Sequence, residues 1–269
     1  MAVKDYMAIA KAKIHRPSSV TRPPRILVYA RNKKGKTQFC TTPGKGKVLI
    51  IDPENGTDSM KKLDPHVWAI DRWEEMDDIL KYLRTGKHPY EWVAVDGMTK
   101  IANMALKWVM GQAEKTDLDR KPGMVQLKDY GKSGEILKTM IHQFRMLPIG
   151  VIFTSQERAM DAPASGDDDE DSEDAAIAYV PDLPKGARGE LNSAVDVIGR
   201  LYTVKIVKKF RHPITKKVVE KEVLQRRLWL EPNIMYDTGY RSDYRLPAYM
   251  EDPTVPSLVQ LINEGKVTK

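Results

Sequence analysis

Apolar positions along the chain fall into two alternating patterns. Short apolar runs lie within residues 26–29, 47–52, 91–96 and 149–154, the second and third bounded by charged residues. Each is too short for a stable helix, and each predicts a strand buried on both faces. Between them, apolar residues recur at i, i+3 and i+4. Met76, Ile79, Leu80 and Leu83 form one such face. Met98, Ile101, Ala102, Ala105, Val109 and Met110 form a second, and Ile136, Leu137, Met140, Ile141, Phe144 and Leu147 a third. Strands alternating with amphipathic helices predict an α/β fold, a mostly parallel sheet with helices on both faces. Ligands of such sheets bind beyond the carboxyl ends of the strands.

The flanks differ. Residues 1–23 read as an N-terminal extension: a short helix with Met7, Ile9 and Ile14, then Pro17 and Pro23, which break regular structure. Beyond Asp196, residues 195–207 and 216–230 read as two further strands joined by a hairpin connection at 211–215. The last forty or so residues are Pro-rich and end in a short helix near 255–263. The expected organisation is an extension (1–23), a core (24–232) and a C-terminal segment packed on it (233–269). Two stretches, 114–132 and 158–192, read as long loops, which in compact domains are functional or disordered.

Chemistry enters where the first strand ends. The chain reads Ala30-Arg31-Asn32-Lys33-Lys34-Gly35-Lys36-Thr37-Gln38. This fits the phosphate-binding pattern G-x-x-x-x-G-K-[ST] except at its first position, where Ala30 replaces Gly. In that pattern backbone N–H groups cradle phosphates, the lysine reaches the β/γ-phosphates and the hydroxyl sits on Mg²⁺. Alanine resists positive φ, so slow turnover is one expectation. Carboxylates and an amide follow at the other strand ends. Asp52 and Glu54 follow the second strand, Asp96 the third and Gln156 the fourth. Asp96 stands where a P-loop protein holds Mg²⁺, and Glu54 where a carboxylate can activate water. Gln156 stands where an amide can contact a γ-phosphate.

Charge adds a partner class. The net charge is +7, yet residues 167–174 hold seven acids, so the remainder carries +14. Such a basic body suits a polyanion, nucleic acid first. The acidic run reads as a solvated loop; occupying the DNA site until displaced and recruiting a basic partner are its alternatives. One cysteine, Cys40, excludes an intrachain disulfide and suits a reducing cytosol. Five histidines without paired spacing argue against a zinc site. No stretch has the length of a membrane span, so no membrane partner is expected and the expected location is cytoplasmic.

The ordered set resembles the RecA-like ATPase core. More narrowly, it resembles phage-encoded RecA-like ATPases, AAA-domain NTP-binding proteins that act as single-strand annealing proteins or reduced recombinases. Ile51-Asp-Pro-Glu-Asn-Gly-Thr-Asp58, Asp129-Tyr-Gly131, Val195-Asp-Val-Ile-Gly-Arg-Leu201 and Thr238-Gly-Tyr-Arg-Ser-Asp-Tyr-Arg-Leu-Pro247 carry the closer likeness. The resemblance implies ATP and Mg²⁺ as ligands, Lys36 and Thr37 on phosphate and metal, Asp96 supporting Mg²⁺, and Glu54 as the catalytic carboxylate. Gln156 would couple nucleotide state to the next loop. DNA contacts would come from Arg120, Lys121, Lys128 and Lys132 in the first loop, and Arg158, Lys185 and Arg188 in the second. ATP would sit between protomers of a ring or filament, with Lys208, Lys209, Arg241 or Arg245 acting in trans. Single-stranded DNA, further copies of the chain and a single-strand-binding or replication protein are the implied partners, in the bacterial host cytoplasm if the chain is phage-encoded. Two other classes stay open: a P-loop ATPase acting on a protein, such as a helicase loader or partition-type switch, and a small-molecule or nucleotide kinase.

Overall fold

The computed structural model describes residues 6–14, 16, 22–117, 119–161, 177–211 and 218–267. The expected strands form as β1 (Arg25–Ala30), β2 (Val48–Asp52), β4 (Trp92–Asp96) and β5 (Gly150–Asp161). The expected helices form as α1 (Tyr6–Lys13), α2 (Lys36–Cys40), α3 (Glu75–Arg84), α4 (Met98–Thr116) and α5 (Leu127–Arg145). A further strand, β3 (His66–Ala69), pairs with β2 at the sheet edge. Its side chains are mostly exposed, and its apolar run, Val67 to Ile70, is not among the expected strands.

Later elements are β6 (Ile177–Pro181), α6 (Lys185–Ala194), β7 (Val197–Arg211), β8 (Val218–Trp229), β9 (Gly239–Tyr240), β10 (Tyr249–Glu251) and α7 (Val255–Glu264). The sheet order is β10-β8-β7-β1-β5-β4-β2-β3. From β7 to β3 all neighbours are parallel; β8 and β10 extend the sheet antiparallel. This is the mostly parallel α/β sheet that the pattern predicted, in the RecA-like arrangement that the resemblance implied.

Both sheet faces are buried, and strand residues alternate between two cores. Leu27, Ile51, Val95 and Phe153 pack with α3, α4, α5 and α6. Ile26, Val28, Ile50, Ala94 and Ile152 pack on the other face with Phe39, Leu228, Met250 and Leu258. The apolar runs were continuous because both alternating sets are inside.

The two expected loops are corrected. α4 runs to Thr116 and α5 begins at Leu127, so the first connection is much shorter than 114–132. Within it, Arg120 turns inward: its side chain and that of Asp129 are fully buried and ion-paired, with Nη1 donating to Oδ1 at 3.0 Å. The Arg120 hydrogen bond leads in holding the Asp129 carboxyl down at about 2. The second expected loop holds a continuation of β5, strand β6 and helix α6. The acidic run 167–174 lies outside the described residues, as does most of the expected hairpin connection.

At the amino ends of β1 and β7, Asp196 accepts from Arg22 (2.8 and 2.6 Å) and from the Arg25 backbone N–H (2.9 Å). Burial pushes this carboxyl up, but those hydrogen bonds and the two guanidinium charges outweigh it and leave it lowered. A lowered carboxyl contributes stability that is present above its unfolded pKa of about 3.9 and is lost as pH falls through the folded value. Asp196→Asn should therefore lower the urea midpoint at pH 7, and its difference from wild type should shrink below about pH 4. An equal difference at pH 7 and pH 3 would contradict this. Phe153→Ala should cost about 3–5 kcal/mol in the same unfolding experiment, independent of pH.

Candidate functional site

The phosphate loop spans the end of β1 and the start of α2 (Lys36–Cys40). Positive φ falls at Lys33 (61°) and Gly35 (94°), not at Ala30. Ala30 ends β1 in extended backbone with no exposed surface. The first position of this loop therefore needs no left-handed residue, and alanine sits there without strain. Helix α2 is only five residues long, so its dipole is small. Anion binding must rest on the loop N–H groups and on Lys36.

Lys36 is held by three oxygens. Its ammonium donates to Ala30 O (3.0 Å), Arg31 O (3.2 Å) and Gln156 Oε1 (3.0 Å). Burial lowers its pKa, and the Asp96 and Glu54 charges oppose that. Because β1 and β5 are parallel neighbours with Ala30 opposite Gln156, the register itself brings the amide to the lysine.

The carboxylates converge on the same place. Asp96 accepts from Thr154 Oγ1 at 2.6 Å and from the Thr37 hydroxyl. Burial raises its pKa, and these hydrogen bonds work against the rise. Asp52 accepts from Thr57 N (2.8 Å), Thr57 Oγ1 (2.6 Å) and Glu54 N (3.0 Å). Burial pushes its carboxyl up, but those bonds outweigh it and the pKa falls. Asp52 thus shapes the turn, and Glu54 is the carboxylate presented to the cavity. Gly97 (φ 124°) lets that turn approach: a Cβ there would lie 3.3 Å from Pro53 and 3.8 Å from the Glu54 carboxyl.

Lys36, Thr37, Asp52, Glu54, Asp96 and Gln156 line one cavity of about 550 Å³. That lies within the ordinary range for small-molecule and cofactor sites, about 300–1,000 Å³. Hard oxygen donors without a preformed cage suit Mg²⁺, which binds one or two carboxylates together with substrate phosphates. Among the described residues no group of three or more His, Cys, Asp or Glu gathers as a metal site. Thr37 and Asp96 would hold Mg²⁺, whose chemistry would be neutralising phosphate charge.

Several partners carried no signal in the sequence. Thr99, in the first turn of α4, accepts from Gln156 N (3.1 Å) and donates to Asp182 O (3.0 Å). Glu157 is nearly solvent-free and ion-pairs with Arg200 at 2.6 Å and Arg31 at 3.2 Å. The Arg200 guanidinium lies 4.4 Å from the Tyr236 ring centre and 5.0 Å from that of Tyr179. These are tertiary pairings between distant segments. The strand-end rule could have pointed at Glu157 only as the neighbour of Gln156.

The remaining candidates scatter. Arg120 cannot reach DNA, since its guanidinium is spent on Asp129 inside the α4–α5 connection. Lys121 and Lys132 are exposed, and Lys128 faces Asp117 at 3.7 Å. Arg158 approaches Asp182 (3.6 Å), Arg188 donates to Met160 Sδ (3.3 Å), and Lys185 is exposed at the start of α6. Lys208 and Lys209 lie on the β7–β8 ribbon opposite Asp252 (3.9 Å) and Glu220 (3.5 Å). Arg241 donates to Ser193 O (2.9 Å) near Asp196, at the other end of the sheet, and Arg245 is exposed. Among the described residues no helix is long and apolar enough to cross a membrane.

A phosphate loop on a RecA-like sheet, facing carboxylates at the neighbouring strand ends, defines a P-loop ATPase. The family model of the AAA domain matches residues 22–242, and the chain belongs to that family. No curated protein matches it in sequence. It is similar in structure to a KaiC-like protein, PH0186, of Pyrococcus horikoshii OT3 (11% identity, 82% of each chain covered, TM-score 0.39). It is also similar to the flagellar accessory protein FlaH of Methanocaldococcus jannaschii (8% identity, 89% of this chain and 90% of that one, TM-score 0.41).

Two variants separate site from scaffold. Lys36→Ala should lower affinity for a fluorescent ATP analogue by at least about tenfold, a loss worth one charge-assisted contact or more. Arg120→Ala should leave that affinity unchanged but lower the melting temperature, because Asp129 would be left buried and unpaired. The reverse pattern would exchange their roles.

Proposed function

We propose that the protein hydrolyses ATP and uses the nucleotide to control binding to single-stranded DNA, promoting annealing or strand exchange in DNA recombination, that of a phage by resemblance. Glu54 orients and deprotonates the attacking water, Lys36 binds the β/γ-phosphates, and Thr37 with Asp96 supports Mg²⁺. The observation that carries the reading is the Lys36–Gln156 hydrogen bond. Gln156 lies on β5, and β5 runs on past the site into the antiparallel β5–β6 ribbon. A group that takes Lys36 from Gln156 releases a side chain on that ribbon's own strand.

Two ribbons leave the same end of the sheet. β7 pairs with β1 only as far as Arg200, then continues with β8 to Arg211. Lys205, Lys208 and Lys209 lie on that projecting half. A cationic β7–β8 ribbon beside a nucleotide site suits a phosphate backbone, whose contacts dominate affinity and weaken with salt. With Arg120 withdrawn, the remaining first-connection candidates are Lys121, Lys128 and Lys132; Arg158, Lys185 and Arg188 lie along the second.

One observation favours the second reading, an ATPase acting on a protein partner. Val207, Phe210, Val218, Val219 and Leu224 are exposed on the β7–β8 ribbon, more apolar surface than a phosphate backbone needs.

Fluorescence anisotropy with labelled oligo-dT, with and without ATP–Mg²⁺, tests the choice across a salt series. Binding should tighten with ATP, weaken steeply with salt and lose its ATP response in Lys36→Ala. No binding in any nucleotide state would overturn the DNA reading in favour of the protein partner. Phosphate appearing on an acceptor other than water would make the protein a kinase instead.

A further inference from the structure

Strand β8 brings an arginine to the phosphate loop of its own chain. A Cβ built on Gly35 would meet Arg226 Cδ at 3.1 Å and Nη1 at 3.3 Å. Arg226 therefore lies against the one loop residue that must remain glycine, at φ 94°. It is partly buried there. Its cross-strand neighbour is Thr203 on β7. Thr203 Oγ1 in turn accepts from Lys34 of the loop at 2.9 Å. The base of the β7–β8 ribbon is thus fastened to the loop beside a second cation.

The other arginines around the site are neutralised. Arg31 and Arg200 share Glu157, and Arg227 donates to Glu251 at 3.0 Å. Among the described residues Arg226 has no carboxylate or hydrogen-bond partner for its guanidinium; its bonds are those of the β8 backbone, such as its carbonyl accepting from Asp252 N at 2.8 Å. Holding two cations together at a partly desolvated position is unfavourable unless an anion answers them. Guanidinium is the group best shaped to meet phosphate oxygens in a fork.

We infer that Arg226 is a phosphate-contacting residue acting in cis: when a nucleoside triphosphate binds the loop, the Arg226 guanidinium donates to its phosphate oxygens. The inference rests on the nucleotide reading of the loop, and it gives that site a cation absent from the loop's own sequence pattern. It also makes the β7–β8 ribbon part of the nucleotide site, since the residue that grips phosphate is carried on the ribbon's second strand.

Titration of the full chain with mant-ATP and mant-AMP tests this, using wild type, Lys36→Ala, Arg226→Ala, Arg226→Gln and Arg226→Lys, each checked by thermal melting. Arg226→Ala and Arg226→Gln should weaken mant-ATP about tenfold, the worth of a charge-assisted contact, while Arg226→Lys recovers part of the loss. Mant-AMP should be affected less than mant-ATP. A merely structural role would lower the melting temperature without separating ATP from AMP or lysine from glutamine. Unchanged mant-ATP affinity in Arg226→Gln, alongside lost binding in Lys36→Ala, overturns the role of Arg226 and leaves the loop reading intact. No binding by wild type overturns both.

Discussion

A single half-buried ammonium organises the working end of this molecule. Lys36, at the start of α2, is partly desolvated; three oxygens hold its ammonium in place, two from its own loop and one from Gln156, while the Asp96 and Glu54 charges oppose the lowering of its pKa by burial. Removing a charge from water costs several kcal/mol, and only a full set of acceptors holds the charged form in place. The arrangement therefore demands the β1–β5 register, the extended backbone at Ala30 and the inward turn of the loop together. On the proposed reading, triphosphate oxygens would replace weak carbonyl acceptors with anionic ones, the stronger partners for an ammonium.

From that point the structure spreads in two directions. Toward β2 and β4 it meets oxygen donors: Thr37, Asp96 and Glu54, with Asp52 used to fold the turn that presents Glu54. Toward β7 and β8 it meets cations and aromatic rings: Arg31 and Arg200 on Glu157, Arg200 over Tyr179 and Tyr236, and Arg226 against Gly35. The first side holds the groups proposed to act in hydrolysis. The second joins the loop to strands that continue past the sheet as ribbons.

Much of this was legible in the sequence, for physical reasons. A strand buried on both faces has to be continuously apolar, so β1, β2, β4 and β5 stood out, and the residues at their ends were the ones that met in space. The edge strand β3 carries an apolar run too, Val67 to Ile70, but most of its side chains stay exposed, so there apolarity did not mean burial. Loop positions were overextended because polar helix ends look like loops: α4 and α5 reach into 114–132 on Lys115, Lys128 and Lys132, which are solvent-facing helix residues. Arg120 shows the limit of reading charge as a binding patch. Its partner Asp129 is nine residues away, and nothing local marks the pair as buried. Arg226 shows the converse. In sequence it is one basic residue in a basic strand, and only the β7–β8 pairing carries it to Gly35.

The central claim is that the state of the phosphate loop reaches the β5–β6 ribbon through Gln156. Amide hydrogen exchange, measured without nucleotide and with ATP–Mg²⁺, tests it most directly in wild type and Gln156→Ala. The account predicts that ATP changes protection both in the loop, 30–38, and along 156–161 and 177–181, and that Gln156→Ala keeps the first change while losing the second. Protection changes confined to the loop in wild type, or ribbon changes that persist without the Gln156 amide, would contradict it.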